Sequence, residues 1–584
     1  MKKEIILNCM PPFTVNSPSP ALSISVIRYT FCFLLFSFSA FLLLCFSAIA
    51  QNPNCYRITF SDKNNSPYSV NRPEEFLSQR AIEKRVRFNI PVIEQDLPVN
   101  PQYIEAILNL SSEQSQIISK SKWDNSVVIF YPETENCHSI IAEMINNLSF
   151  VVDTLPVAYY EISKKNKTPI YEKLPSNMVS SSSTCDYDYG NSVDNINLHN
   201  GELLHKAGFC GEGMLICVFD GGWKGFDTIS YFKPLYEKGQ IWGTRDLVTK
   251  VNNVYTRTDH GTYCTSQLAS TIEGKMVGAA PKANYFFIRS EDPWTEQLIE
   301  EDFWAFAAEL ADSIGTDVVS SSVGYTTFDY DWQNLYTSAD NNGTASIASR
   351  AATTLTEKGV IVVNAAGNQG LFPWRYLVRP ADAFNILAVG AVTKNGLSAT
   401  FSSYGPSSDG RVKPDVAALG EKLWSVTGKG KIVNTGGATS GATPIIAGLS
   451  ACLWQALPQY SSLEIKQLIR KYGDMANNPD DRTGYGIPNF YQCYIDHYTE
   501  IQENKIPEVS VYPNPTTGDL RIMNYDLRIE HIEIYDVFGR KVFSNHLITS
   551  SFNYIINISY LPKGIYIIRI QTEKGMLNKK IIKI

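Results

Sequence analysis

Short apolar runs and helical patterns alternate along the central part of the chain. Five runs are rich in β-branched residues and lack polar alternation, namely MLICVF, NYFFI, DVVSSSV, VIVVNAAG and FNILAVGAV. Uninterrupted apolar strands of this kind are buried on both faces, as in a parallel sheet covered by helices. Helical stretches such as TEQLIEEDFWAFAAELADSI lie between them. The pattern predicts an α/β domain with a doubly wound, mostly parallel sheet over residues 184–498.

A smaller α+β unit is predicted before this domain, over residues 51–183. CYRITF, NSVVIFY and SFVVDTLPVAYYEI have the character of strands, whereas EEFLSQRAIEKRVRF and CHSIIAEMINNL have the character of helices. The unit ends in SKKNKTPIYEKLPSNMVSSSST, which is polar and Ser-rich. Such a segment is typical of an exposed linker that proteases can cut.

The C-terminal segment alternates apolar and polar residues. VSVYPNPTTGDLRI, HIEIYDVFGRKVF and GIYIIRIQTEKGMLNKKIIKI are separated by turn signals. This pattern predicts a small antiparallel β-sandwich over residues 506–584, joined to the central domain by the polar stretch TEIQENKIPE.

The N-terminus carries the apolar run FCFLLFSFSAFLLLCFS, followed by the small-x-small pattern Ala48-Ile49-Ala50. This arrangement indicates a cleaved signal peptide over residues 1–50. A membrane anchor is the alternative, because the run approaches the length that spans a bilayer.

Composition limits the functional classes further. The chain has 584 residues, of which 44% are apolar and 19% charged, as in a globular protein of about three or four folding units. Its net charge of −7, with both signs mixed, argues against a nucleic-acid partner. The eleven cysteines show no C-x-x-C spacing, so no structural zinc site is predicted, and export permits disulfides whose pairing the sequence does not give.

Two candidate catalytic residues follow from their positions. Asp220 ends the apolar run MLICVF and precedes two glycines, at the carboxyl end of a strand, where working residues of α/β sheets lie. A simple turn residue is the alternative interpretation. His260 opens the helical stretch HGTYCTSQLAS. Asp259 is not expected to orient it, because adjacent side chains diverge, and Cys264 is expected to be a packed thiol rather than a partner in a Cys-His dyad.

Two further candidates stand at later turns. Asn368 follows the strand VIVV through a glycine turn, from which its amide could donate to a developing oxyanion. Ser440, in GGATSGATPIIAG, lies among small residues directly before apolar helix-forming sequence. This context predicts a nucleophile held at a helix N-terminus.

The order Asp, His, Asn, Ser and the motifs around these residues resemble the subtilisin-like serine protease family. The resemblance covers residues 185–497 and includes KPDVAALG, with Asp415, and GYGIPN. It implies serine-type peptide hydrolysis in which Asp220 orients His260, His260 activates Ser440, and Asn368 stabilises the oxyanion. It also implies that the peptide substrate binds along Ser322, Val323 and Gly324 and along Ala366 and Gly367. The segments SSVG and AAG suggest a pocket with apolar walls, which would accept large apolar side chains before the scissile bond.

The flanking units also resemble parts of known proteins. Residues 54–165 resemble propeptides that chaperone and inhibit such proteases, and 509–584 resembles the sorting domain of the type IX secretion route. The expected partners are therefore polypeptide substrates, the chain's own propeptide and the type IX machinery, and the expected location is secreted or on the outer cell surface. No cofactor or catalytic metal is expected; calcium often stabilises this family, but the sequence assigns it no ligands.

Two departures from the family pattern concern the nucleophile. Ala438 stands where a glycine usually precedes Thr-Ser, which could constrain the backbone, and Gly441 replaces a bulkier residue. Neither removes a catalytic atom, so an active enzyme is expected. The alternative is a catalytically silent binding or adhesion protein with the same fold. A lipase-like hydrolase is disfavoured, because the chain has no G-x-S-x-G elbow and the order of the triad differs.

Overall fold

The structure is a computed structural model. It describes residues 53–112, 114–132, 137–159, 185–249, 253–504, 510–523, 529–537, 539–549, 553–572 and 575–584. The predicted signal peptide and the whole of the predicted Ser-rich linker lie outside these residues. Among the described helices, none is long and apolar enough to cross a bilayer.

The first domain is an antiparallel sheet with helices packed on it. Its strands are β1 (Cys55–Phe60), β2 (Gln116–Ser121), β3 (Ser126–Phe130) and β4 (Val151–Ala158), in the order β2-β3-β1-β4. Its helices are α1 (Gln79–Arg87), α2 (Pro101–Asn109) and α3 (Cys137–Asn147). The predicted α+β class is confirmed, but sequence reasoning missed α2 and β2.

The central domain contains a seven-stranded sheet. Its strands are β5 (Leu215–Asp220), β6 (Ile241–Asp246), β9 (Asn284–Arg289), β10 (Val318–Ser321), β11 (Ile361–Ala365), β12 (Leu387–Val392) and β13 (Val416–Leu419). The order is β13-β12-β11-β10-β5-β9-β6, and every pairing is parallel. The predicted doubly wound fold is confirmed. Two short pairs accompany this sheet: β7 (Thr271–Ile272) with β8 (Met276–Val277), and β14 (Trp424–Val426) with β15 (Ile432–Asn434).

Helices cover both faces of this sheet, and each face has its own apolar core. The helices of this domain are α4 (Val193–Asn197), α5 (Gly201–Lys206), α6 (Lys233–Glu237), α7 (His260–Ala269), α8 (Ile299–Ile314), α9 (Ile347–Glu357), α10 (Thr439–Ala456), α11 (Ser462–Lys471) and α12 (Phe490–Asn504). The helix α12 continues into the stretch that the sequence suggested as a linker. Cys185 and Cys210 form a disulfide between the start of this domain and the segment before β5.

The C-terminal domain consists of two antiparallel sheets. The first contains β16 (Ser510–Tyr512), β17 (Asp519–Met523) and β20 (Asn553–Asn557); the second contains β18 (Ile529–Asp536), β19 (Lys541–Thr549), β21 (Gly564–Thr572) and β22 (Gly575–Lys583). Leu520 and Ile556 of the first sheet share one buried core with Ile532 and Ile568 of the second. Because inward-facing residues of both sheets fill this core, the predicted β-sandwich is confirmed.

Candidate active site

Asp220 and His260 meet at the carboxyl end of β5. Asp220 is the last residue of that strand and is fully buried, and His260 is the first residue of α7. The His260 Nδ1 atom lies 3.0 and 2.9 Å from the two carboxylate oxygens of Asp220. Asp259 is engaged elsewhere, since its carboxylate accepts the Gly428 N–H at 2.8 Å. The Asp220 carboxylate therefore fixes the orientation of the His260 imidazole ring.

The charge of Asp220 controls the protonation of this ring. Burial alone would lower the pKa of His260, but the neighbouring Asp220 carboxylate outweighs burial, and the pKa is raised well above the ordinary value. The ring remains accessible, because about 40% of the side chain is exposed. A ring that is held by a carboxylate on one side and open on the other is suited to proton transfer.

Ser440 is the second residue of α10 and is nearly buried. Its hydroxyl donates to the Ser322 carbonyl at 3.3 Å, and the Ser322 hydroxyl donates to the Ser440 carbonyl at 3.0 Å. Within the described part of the chain, the Ser440 hydroxyl makes no hydrogen bond to His260. Catalytic hydrogen bonds are often formed only when substrate binds, so this arrangement is compatible with a nucleophile that turns toward the ring.

Cys264 lies one helical turn after His260 and packs beneath the site. Its Sγ is 3.8 and 3.9 Å from the two ring nitrogens and donates to the Ser440 carbonyl at 3.4 Å. Burial raises the pKa of this thiol, so it stays neutral. A neutral, fully buried thiol is a packing residue, as its sequence context suggests.

Asn368 is fixed by α10, the helix that carries Ser440. Its Oδ1 accepts the Thr439 N–H at 2.9 Å and the Thr439 hydroxyl at 3.1 Å. Since the amide group is planar, these two bonds turn the Nδ2 group away from Thr439. An amide anchored through its oxygen can offer its N–H donors to an oxyanion without reorganising.

The suggested substrate-binding segments lie side by side. Ser322, Val323 and Gly324 follow β10, Ala366 and Gly367 follow β11, and these two strands are parallel neighbours. Val378, which sequence reasoning missed, fills the gap between the segments. A methyl group on Gly324 would lie 2.3 Å from the Cγ2 atom of Val378, and a methyl group on Gly367 would lie 2.5 Å from the Cγ1 atom of Val378. The Val378 side chain therefore lies against both glycines, between the two segments.

The two departures from the family pattern near Ser440 have local explanations. Ala438 has an extended backbone (φ −164°, ψ 160°), which any residue adopts, so the expected constraint is absent. Gly437 has φ +115°, which strongly favours glycine. A methyl group on Gly441 would lie 2.3 Å from Leu423 Cδ1 and 2.5 Å from the Tyr263 hydroxyl, so a bulkier residue has no room there.

An acidic cluster lies beside this site, and sequence reasoning missed it as well. Ligand atoms of Glu291, Glu296 and Glu300 all lie within 4.8 Å of one another. Burial and the Asp220 charge raise the pKa of Glu291 to about 7, and burial and Glu291 raise that of Glu296 to about 8. The signal was available in EDPWTEQLIEED, but the spacing of these residues follows no regular element.

The first domain contacts the helix α8 through buried charges. Arg57 donates to both carboxylate oxygens of Asp302, at 2.6 and 2.7 Å. The Glu309 carboxylate accepts the Ser121 hydroxyl at 2.6 Å and the backbone N–H groups of Lys122 and Trp123 at 2.8 and 3.0 Å. Buried charges on α8 are therefore paired by groups of the first domain.

Three family models match separate parts of the chain. The model described as "Subtilase family" matches residues 211–486. The model "Peptidase S8 propeptide domain, Bacteroidota" matches residues 55–173, and the model "Secretion system C-terminal sorting domain" matches residues 510–584. These matches confirm the resemblances suggested by the motifs.

Known relatives match the central part. Serine protease AprX of Bacillus subtilis is 27% identical over 322 residues, covering 50% of this chain and 66% of that protein. The thermostable alkaline protease of Halalkalibacterium halodurans is 23% identical over 355 residues, covering 60% and 87%. The crystal structure of MycP1 with the N-terminal propeptide removed has a TM-score of 0.41 at 21% identity and covers 53% of this chain and 97% of that one.

Proposed function

The chain carries a subtilase-family domain at residues 211–486, and on that premise we propose that it is a secreted serine endopeptidase with an Asp-His-Ser triad. The contact of His260 Nδ1 with both Asp220 oxygens supports this proposal most directly. It is the orientation that a general base needs, because it leaves Nε2 available to accept a proton.

The proposed reaction is acyl transfer to Ser440. The serine hydroxyl turns from the Ser322 carbonyl toward His260, which removes its proton as the oxygen attacks the scissile carbonyl. Asp220 stabilises the imidazolium that forms. The imidazolium then protonates the leaving amine, and a water molecule, activated by His260, hydrolyses the acyl-enzyme.

The oxyanion of the tetrahedral intermediate receives two donors in this proposal. One is the side-chain amide of Asn368, anchored through its Oδ1 to Thr439. The other is the Ser440 backbone N–H, which lies in the first turn of α10. The N–H groups of a first turn have no acceptor within the helix, so they are free to bind a developing negative charge.

The preferred substrate residue before the scissile bond is small in this proposal. Val378 fills the space between Gly324 and Gly367, which the sequence suggested as the walls of a roomier pocket. We therefore propose that residues of the size of Ala or Val are preferred before the scissile bond, in place of the large apolar residues that the sequence suggested. A large aromatic side chain would have to displace the methyl groups of Val378, at a cost typical of overpacking.

Maturation by self-cleavage completes the proposal. The match over residues 55–173 identifies a propeptide, and the sorting domain at 510–584 indicates export followed by secretion or attachment at the cell surface. The Tyr159 N–H donates to the Gln297 side chain at 2.9 Å, so the last described residue before the Ser-rich segment lies just ahead of α8. We propose that the cut lies in the Ser-rich segment, which is outside the described residues.

The test compares the wild-type protein with Ser440→Ala, both expressed without the signal peptide. The wild type should cut itself within the segment 160–200 and degrade casein, and the variant should do neither, as mass spectrometry and a casein assay would show. If neither protein cuts itself, adding trace trypsin distinguishes an enzyme that another protease must activate from a catalytically silent protein. Wild type that stays inert after trypsin has removed the propeptide would favour the alternative, a silent binding or adhesion protein.

A further inference from the structure

Three carboxylates meet where β9 ends and α8 begins. Glu291 is the second residue after β9, Glu296 lies in the connecting loop, and Glu300 is the second residue of α8. One ligand atom from each lies within 4.8 Å of the other two. Calcium binds oxygen at roughly 2.3–2.6 Å, so opposite atoms of its shell are about 4.6–5.2 Å apart. The three atoms therefore fit on one calcium shell.

The state of Glu300 points independently to a missing cation. Its side chain is 1% exposed, and among the described residues neither carboxylate oxygen has a hydrogen-bond partner. Burial and the Glu296 and Glu291 carboxylates raise the pKa of Glu300 well above its ordinary value. The fold therefore holds Glu300 either as a protonated acid without hydrogen-bond partners or as a carboxylate bound to a cation. Glu291 and Glu296, half-buried in the same cluster, offer Glu300 further carboxyl groups and no cation.

The dipole of α8 does not account for this arrangement. Carboxylates are favoured in the first turn of a helix, and Glu300, Glu301 and Asp302 all lie there. However, Asp302 is paired with Arg57, and Glu301 faces the Arg379 guanidinium at 3.6 Å. Glu300 differs from its two neighbours in facing other carboxylates instead of a guanidinium.

The basic residue beside the cluster is already engaged. The Arg289 guanidinium is fully buried, donates to Asp246 at 3.1 and 3.3 Å, and donates through Nε to the Gly221 carbonyl at 2.9 Å. Its Nη2 atom lies 3.6 Å from the Asp292 carboxylate, and its charge acts on Glu291 by lowering the pKa of that carboxyl. No such effect of Arg289 reaches Glu296 or Glu300, so this guanidinium does not neutralise the cluster.

We propose that Glu291, Glu296 and Glu300 bind one calcium ion, which fixes the loop between β9 and α8. Calcium suits the site better than magnesium, since it accepts irregular arrangements of carboxylates and water, whereas magnesium demands near-ideal octahedral geometry. The partial exposure of Glu291 and Glu296 gives the ion a path of entry and leaves room for water ligands. The loop adjoins the triad, because the Ser290 N–H donates to the Asp220 carbonyl at 3.1 Å.

The experiment uses the full chain without its signal peptide and with Ser440→Ala, so that no proteolysis occurs. Calcium is removed with EGTA and then titrated back as calcium chloride, with binding followed by calorimetry and unfolding followed by differential scanning calorimetry. The test variant is Glu300→Gln, which keeps the shape and removes the charge. The matched control is Glu301→Gln, an equally buried neighbour on the same helix whose carboxylate faces Arg379.

The proposal predicts opposite effects of Glu300→Gln on stability in the presence and in the absence of calcium. With calcium, the parent should bind one ion more than Glu300→Gln, or bind it at least tenfold more tightly, and its unfolding midpoint should rise further. Without calcium, Glu300→Gln should unfold at a higher temperature than the parent, because glutamine neither buries an unpaired charge nor has to take up a proton on folding. Glu301→Gln should keep the response of the parent to calcium.

Equal stoichiometry and affinity in the parent and Glu300→Gln would overturn the proposal, even if both bind calcium elsewhere. It would also be overturned if Glu300→Gln stabilised the calcium-free protein but calcium moved neither midpoint, since the cluster would then hold only protons. Glu296→Gln, at a half-buried position, repeats the comparison should Glu300→Gln fail to fold. Because every protein carries Ser440→Ala, the result is independent of the proposed protease activity.

Discussion

Replacing Arg57 by methionine removes the cation from a buried ion pair between the propeptide and α8. Arg57 and Asp302 are 7% and 3% exposed as side chains and form two short hydrogen bonds. In the released protease domain Asp302 is expected to face water. The cost of the substitution should therefore fall on the complex and not on the mature enzyme.

The magnitude follows from the burial of this pair. Breaking a buried ion pair by removing one partner costs about 3–5 kcal/mol, because the other charge remains buried and unpaired. At about 1.4 kcal/mol per tenfold, the affinity of the propeptide should fall by a factor between about 100 and 4,000. Arg72→Met is the control, since Arg72 pairs with Glu75 at an exposed surface, and such pairs contribute about 0–1 kcal/mol.

The assay measures how tightly the separate propeptide inhibits the mature enzyme. Parent, Arg57→Met and Arg72→Met propeptides are compared after circular dichroism has shown that each is folded. The Arg57 variant should inhibit at least 100-fold more weakly than the parent, and the Arg72 variant should inhibit within a few-fold of it. Inhibition by Arg57→Met within threefold of the parent would refute this account of the interface.

Three further predictions concern the catalytic site. Activity requires the neutral imidazole of His260, and the pKa of this residue is raised, so activity should be lost as the pH falls through that pKa. Asp220→Asn should move this acid limb of the pH–rate profile to lower pH and reduce kcat by about 10⁴-fold. Val378→Ala removes two methyl groups from the proposed pocket. In a peptide series, the ratio of kcat/KM for Phe to kcat/KM for Ala before the scissile bond should rise by about tenfold. An unchanged ratio would exclude Val378 from the pocket. Asn368→Ala should reduce kcat by roughly 10²–10³-fold with little change in KM, and a change in KM alone would assign Asn368 to substrate binding.

Local patterns were sufficient to predict the elements that carry Asp220, His260 and Ser440. The apolar run before Asp220 could only be a buried strand, and the small residues around Ser440 lead directly into an apolar helix. The helix α2 was missed although its signal was present, since Asn100 caps it through the Gln102 N–H and Pro101 begins it. Irregular pairing of β2 between Ile117 and Ser119 hid that strand from a simple alternating pattern.

The remaining features depend on contacts between distant parts of the chain. Val378 lies against Gly324 from a segment that follows β11 and is far from Gly324 in sequence, so no local pattern shows that it fills the space beside that glycine. The pair between Arg57 and Asp302 joins residues 245 positions apart. The glutamates of the cation site are close in sequence, but only the turn from β9 into α8 brings their carboxylates together.

The nucleophilic role of Ser440 is tested most directly by labelling the mature protein with a fluorophosphonate, which reacts with activated serines. Peptide mapping by mass spectrometry should find the adduct on Ser440, and His260→Ala should abolish the labelling while the protein stays folded. An adduct on another serine, equal labelling of His260→Ala, or no adduct on folded protein freed of its propeptide would contradict the proposed triad.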